Sequence, residues 1–86
     1  MRIVRFTPIA FEQFEYWKKK DPKIYSKINH LINATLQNPF LGIGKPEPLK
    51  GELGGYWSRR INLEHRLVNG VNDEAITIIA CRYHYK

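Results

Sequence analysis

The sequence predicts an α+β domain of order β-α-α-β-β-β, in which a helical hairpin packs on a small antiparallel sheet. Two proline-led helix starts, Thr7-Pro8 and Asp21-Pro22, each precede apolar residues at three- and four-residue steps. Further on, three apolar runs are separated by the short connections Asn62-Leu63 and Asn72-Asp73, the pattern of antiparallel hairpins. The chain has 86 residues, enough for one domain spanning residues 1–86 and too few for two.

Arg2 to Phe6 alternates basic and apolar residues and reads as a short strand. Thr7 then caps a helix that begins at Pro8 and runs to about Lys20, with Ala10, Phe11, Phe14 and Trp17 as its buried stripe. Lys18, Lys19 and Lys20 suit its C-terminal end, where cations oppose the helix dipole. Asp21 caps a second helix in which Ile24, Ile28, Leu31, Ile32 and Leu36 face the core, ending near Asn38 before Pro39. From Pro39 to Gly55, five glycines and three prolines break any regular element and make a long loop. Tyr56–Ile61, Glu64–Val71 and Ala75–Tyr85 read as the three meander strands.

Lys plus Arg number 14 and Asp plus Glu 8, a net charge of +6. That surplus favours a polyanionic or acidic partner. The lone Cys81 lies in an apolar run and forms no internal disulfide, so a buried thiol is expected. The start lacks the apolar segment of a signal peptide. The longest uncharged run, Ile28 to Gly44, carries too many polar residues to span a membrane. A cytoplasmic protein without membrane association is expected. No zinc-spaced Cys/His cluster, phosphate-binding glycine loop or DxD-like acidic group is found, so no metal site and no cofactor are expected.

What remains is acid, base and cation chemistry. Glu47 sits between Pro46 and Pro48, which limit its backbone and aim its carboxylate. Arg66 lies beside Leu67 and Val68. Strict alternation in the last strand puts Ile76, Ile78, Ala80, Arg82 and His84 on one face. A carboxylate, an arginine and a histidine form a sufficient kit for cutting RNA without metal. The carboxylate takes the ribose 2′-OH proton, the guanidinium holds phosphoryl charge, and the histidine protonates the leaving 5′-oxygen. DNA lacks the 2′-OH and would be spared.

Four ordered stretches carry a resemblance. GKPEPLK (Gly44 to Lys50), YWSRRI (Tyr56 to Ile61), EHRLV (Glu64 to Val68) and ACRYHY (Ala80 to Tyr85), with helices like FEYWKKKDPKIYSKINHLI upstream, resemble the YoeB/Txe toxins of the RelE superfamily. The resemblance implies a RelE-like, microbial-RNase-type fold and a ribosome-dependent mRNA endonuclease. It implies a cognate YefM/Axe-like antitoxin, contact with operator DNA only through that complex, and a homodimer as one state. It makes Glu47 the general base, Arg66 the transition-state arginine and His84 the general acid. Tyr85 would orient the RNA, with Lys50 and Arg60 near its backbone. Lys45 and Arg82 join them as basic positioning residues; Arg82 has Glu47 or Glu64 as alternative partners. Asn69 stands where the family has an aromatic, on the face opposite Arg66, and Lys86 extends past the family's terminal His-Tyr pair.

Two other functions fit the charge. One is a non-catalytic basic module that blocks the ribosome or another nucleic-acid machine. The other is an inactive component kept for repression with an antitoxin. Among the remaining residues, Tyr56 and Trp57 face opposite ways, as do Arg59 and Arg60, so the arginine pair does not form one clamp. His65 points away from Arg66 and reads as structural or interfacial; His30 reads as solvent-facing.

Overall fold

A computed structural model describes residues 2–83. The order is β1 (Ile3–Phe6), α1 (Pro8–Lys20), α2 (Pro22–Gln37), β2 (Glu47–Pro48), a 3-10 turn (Gly51–Leu53), β3 (Trp57–Arg60), β4 (Arg66–Val71) and β5 (Ala75–Ala80). Both helix starts form as the sequence predicts. Thr7 Oγ1 accepts the Ala10 amide at 3.2 Å, and the Asp21 carboxylate accepts the amides of Lys23 and Ile24 at 3.1 and 3.4 Å. Each cap satisfies amides that the first helical turn leaves without partners.

The five strands form one sheet in the order β1-β5-β4-β3-β2. β2 to β5 are antiparallel, as expected of a meander, while β1 lies parallel to β5. Counting reversals explains the mixture. Three reversals, into α1, into α2 and into β2, precede the meander's three, so after an even number β5 runs the way β1 did. Asparagines close both late hairpins. Asn62 Oδ1 accepts the amides of Glu64 and His65, and Asn72 Oδ1 those of Glu74 and Ala75, at 2.8–2.9 Å.

The core lies between the helices and one sheet face. Ala10 and Trp17 meet Ile28, Leu31 and Ile32, with Ile61, Leu67, Ile76, Ile78 and Cys81 below. Phe6, Phe14 and Tyr25 stack in series at centroid spacings of 4.9 and 4.7 Å. Phe11 departs from the predicted stripe. It is 50 % exposed and touches Phe6 only edge-on, because it lies about 100° around the helix from Ala10.

Two further expectations are corrected. The Pro39–Gly55 segment is not wholly irregular, because Glu47 and Pro48 pair with Ser58 and Trp57. Pro48 is tolerated there because β2 is an edge strand and its missing amide faces no neighbour. The last strand stops at Ala80 rather than Tyr85. Cys81 to Tyr83 leave the sheet, and Tyr83 adopts a left-handed φ of 66°, so strict alternation does not extend to Arg82. A bulge between Val68 and Asn69 also disturbs the β4–β5 register. His84, Tyr85 and Lys86 lie outside the described residues.

Candidate active site

Paired residues on neighbouring strands share a sheet face. The register runs Glu47↔Ser58, Ser58↔Val68 and Val68↔Ala80, a row across four strands. Two residues along, Arg60 pairs with Arg66. Leu67, whose side chain enters the core, lies between Arg66 and Val68, so this row faces away from the helices. Glu47, Arg60 and Arg66 therefore share the face that the helices leave free. From strand spacing and rise, the Glu47 and Arg66 Cα atoms are about 12 Å apart. Asn69 pairs with Trp57 and falls on the opposite face, as its spacing from Arg66 predicts.

Each element of the loop sets Glu47. Gly44 (φ +85°) and Lys45 (φ +51°) make a left-handed bend, and Gly44 O accepts the Arg60 amide at 2.6 Å. Beyond Glu47, Leu49 donates to Tyr56 O at 2.9 Å, and the 3-10 turn brings Tyr56 N to Leu53 O at 3.0 Å. Glu47 itself is exposed, as are Lys45 and Lys50, which flank it along the loop. Arg60 is exposed as well.

Arg66 is half-buried. Its Nη1 donates to the carbonyls of Asn62 (2.8 Å) and His65 (3.2 Å). Among the described residues, Arg66 has no further side-chain hydrogen bond than these. Two arginines opposite each other on adjacent strands cost about 0.2–1 kcal/mol, a cost an anion between them removes.

Arg82 is not on this row. Leaving the sheet at Ala80, its guanidinium sits 3.8 Å over the Tyr16 ring and 4.8 Å from that of Tyr83. Tyr16 belongs to α1, so Arg82 lies against the helix rather than beside Glu47 or Glu64, the partners considered for it.

Four side chains, Arg59, Trp17, Gln13 and His65, make hydrogen bonds that the sequence did not specify, although Trp17 was expected in the core and His65 in a structural or interfacial role. Arg59, next to exposed Arg60, is 1 % exposed. Its Nη atoms donate to the carbonyls of Asn38 (2.6 Å), Leu41 (3.0 Å) and Ile43 (2.9 Å), tying the start of the loop to β3. The signal was its place between Trp57 and Ile61 in the alternation, an inward set. Trp17 Nε1 donates to Cys81 O at 2.9 Å, and Gln13 Oε1 accepts the Cys81 amide at 2.8 Å. His65 is buried edge-on to Trp17 at 4.8 Å, and its Nδ1 accepts the Tyr83 amide at 2.7 Å. The left-handed backbone of Tyr83 costs about 1–2 kcal/mol, which these anchors offset.

The site is a face rather than a pocket. The hollows lined by Arg2, Asn33, Leu36, Gln37 and Asp73, and by His30, Ala34, Leu41 and Ile43, contain neither Glu47 nor Arg66. Ser58, Val68 and Ala80 in the middle of the row are buried, while Glu47 and Arg60 stay exposed and Arg66 half-buried around them; one acid with several cations spread over such a face suits a polymeric anion better than a small molecule. Among the described residues, no three His, Cys, Asp or Glu side chains come together, and no helix is long and apolar enough to cross a membrane.

Comparison with known proteins agrees over nearly the whole chain. The sequence profile of the YoeB-like toxin of bacterial type II toxin-antitoxin systems matches residues 6–85. The toxin RelK of Mycobacterium tuberculosis is 53 % identical over 85 residues, 99 % of this chain and 100 % of that one. A YoeB dimer from Staphylococcus aureus superposes with a TM-score of 0.92 at 49 % identity, covering 98 % of each chain. A YoeB–YefM complex from the same organism gives 0.90 at 48 % identity and 99 % of each. With this fold and these motifs in order, the chain belongs to the YoeB-like toxins of bacterial type II toxin-antitoxin systems.

Proposed function

We propose that this toxin is an endoribonuclease that cleaves mRNA on the ribosome. The observation that carries the reading is the register that puts Glu47 and Arg66 on one helix-free face. In the reaction, the Glu47 carboxylate accepts the proton of a ribose 2′-OH. The 2′-oxygen bonds to the adjacent phosphorus, and the bond from phosphorus to the 5′-oxygen breaks, leaving a 2′,3′-cyclic phosphate. Arg66 stabilises the charge on the phosphoryl oxygens, and His84, placed in this role by motif alone, gives its proton to the 5′-oxygen. Base, acid and cation are all side chains, so the steps call for no metal ion. Arg60, Lys45 and Lys50, the exposed cations around Glu47, hold the RNA, with Tyr85 given that role by motif alone; Arg82, stacked on Tyr16, is not among them.

The partners follow from the same reading. A YefM-like antitoxin with acidic residues folds onto the +6 toxin, and operator DNA is met through that complex. Self-association to a homodimer, as in the Staphylococcus aureus relative, and action in the cytoplasm complete it.

The test is primer extension on mRNA translated by purified ribosomes with added toxin. Wild type is expected to give discrete cuts. Glu47→Ala is expected to slow them about 10²–10⁴-fold, the usual contribution of one positioned proton transfer, while Glu47→Ala folds normally because the side chain is exposed. Cutting by Glu47→Ala at the wild-type rate overturns the assignment. Uncut message with translation arrested favours a blocking module instead.

A further inference from the structure

We propose that His65 is a positioning residue whose proton-free Nδ1 holds the C-terminal segment in the conformation from which the chain enters His84. Tyr83 is the residue before His84, and its left-handed φ of 66° is one that a tyrosine does not keep unaided. It is held from both sides. Its amide donates to His65 Nδ1 at 2.7 Å, and its carbonyl accepts the Arg66 amide at 2.7 Å. The two peptide planes that define Tyr83 are thereby tied to consecutive residues of one segment.

His65 is itself fixed. It is 7 % exposed, with its ring edge-on to Trp17. Its amide donates to Asn62 Oδ1, and its carbonyl accepts from the Ile61 amide and from Arg66 Nη1. One residue thus contacts the guanidinium of Arg66 through its carbonyl and the Arg82–Tyr83 peptide through its imidazole. An imidazole nitrogen that accepts from an amide carries no hydrogen, so the neutral ring has its hydrogen on Nε2. The consequence for cleavage rests on the proposed nuclease reading. The clamp itself does not.

Two variants separate the clamp from simple packing. His65→Phe fills the slot against Trp17 without an acceptor, and His65→Asn restores one, since Asn Oδ1 sits near the position of Nδ1. Amide hydrogen exchange read by NMR should show the Tyr83 amide protected in wild type, at least about tenfold less so in His65→Phe, and largely protected again in His65→Asn. In the ribosome assay, kcat should fall about 10–100-fold in His65→Phe with KM little changed, and recover in His65→Asn. Tyr83 protection and kcat both unchanged in His65→Phe overturn the proposal.

Nitrogen-15 spectra of the wild-type imidazole test the same point if a variant fails to fold. A proton-free Nδ1 coupled to the Tyr83 amide supports the clamp, and a protonated Nδ1 overturns it. If wild type cuts no RNA while the exchange pattern is as expected, the nuclease reading fails and the clamp stands.

Discussion

Replacing Arg59 with Met should cost this small domain a large share of its stability, although its neighbour Arg60 is dispensable for folding. Arg59 is 1 % exposed and donates to three carbonyls, those of Asn38, Leu41 and Ile43. A hydrogen bond to a charged group contributes about 1.5–3 kcal/mol net, so three set an upper range of about 5–9 kcal/mol. Two effects reduce it. Asn38 and Leu41 are exposed, so water can reach their carbonyls once the guanidinium is gone. Methionine also escapes the desolvation that pulls the Arg59 pKa below its ordinary value. About 3–5 kcal/mol remains, against a total of about 4–13 kcal/mol for a chain of this length.

With a guanidinium chloride slope of about 2 kcal/mol per molar, the unfolding midpoint should fall by about 1.5–2.5 M. Arg59→Lys should fall between, because one ammonium cannot span three carbonyls. Arg60→Met should shift the midpoint by less than about 0.3 M, as exposed substitutions do. If Arg59→Met and Arg60→Met unfold at the same midpoint, the carbonyl cage does not hold the loop and the reasoning is refuted.

Two contrasts in the same assays are equally direct. Gly44 and Gly55 both have positive φ, +85° and +94°, but a Cβ at Gly44 would lie 2.7 Å from Leu31 Cδ2 and 3.1 Å from Arg59 Cβ, while one at Gly55 meets nothing within 4 Å. Gly55→Ala should cost about 1 kcal/mol, a Tm loss of about 4–8 °C, and Gly44→Ala about 2–4 kcal/mol because buried Leu31 cannot yield; equal Tm losses would contradict this. Burial pushes the Cys81 thiol from 9.0 up to about 12, so a thiol reagent at pH 8 should label it only in denaturant. Between pH 9 and about 12 the unfolded thiol is deprotonated and the folded one is not. The unfolded state then binds fewer protons, and stability falls by at most about 1.4 kcal/mol per pH unit; comparison with Cys81→Ala in alkaline unfolding isolates that slope.

The parts of the fold that were legible in the sequence are those written in local chemistry. Thr7-Pro8 and Asp21-Pro22 start helices because a side-chain oxygen and a fixed φ act within three residues. Asn62 and Asn72 close hairpins by the same short-range logic. The shared face of Glu47 and Arg66 followed less directly. The family motif named both residues, but their juxtaposition required β2, two residues whose pairing partners lie eleven and nine positions away.

What stayed hidden was decided at long range. Arg59 and Arg60 are identical in type, and alternation separates their faces, yet it does not say that the Asn38–Ile43 carbonyls close over one of them. The end of β5 was hidden for the same reason. Ala80, Cys81, Arg82 and Tyr83 continue a pattern a strand can take. The turn out of the sheet comes from Trp17 on Cys81, Gln13 on the same residue and His65 on Tyr83, contacts bridging 64, 68 and 18 positions. A segment held by three distant partners has no local signal to read. Its sensitivity should therefore map to those partners: substitutions at Trp17, Gln13 or His65 should release it more than changes within residues 81–83 that leave the backbone groups in place.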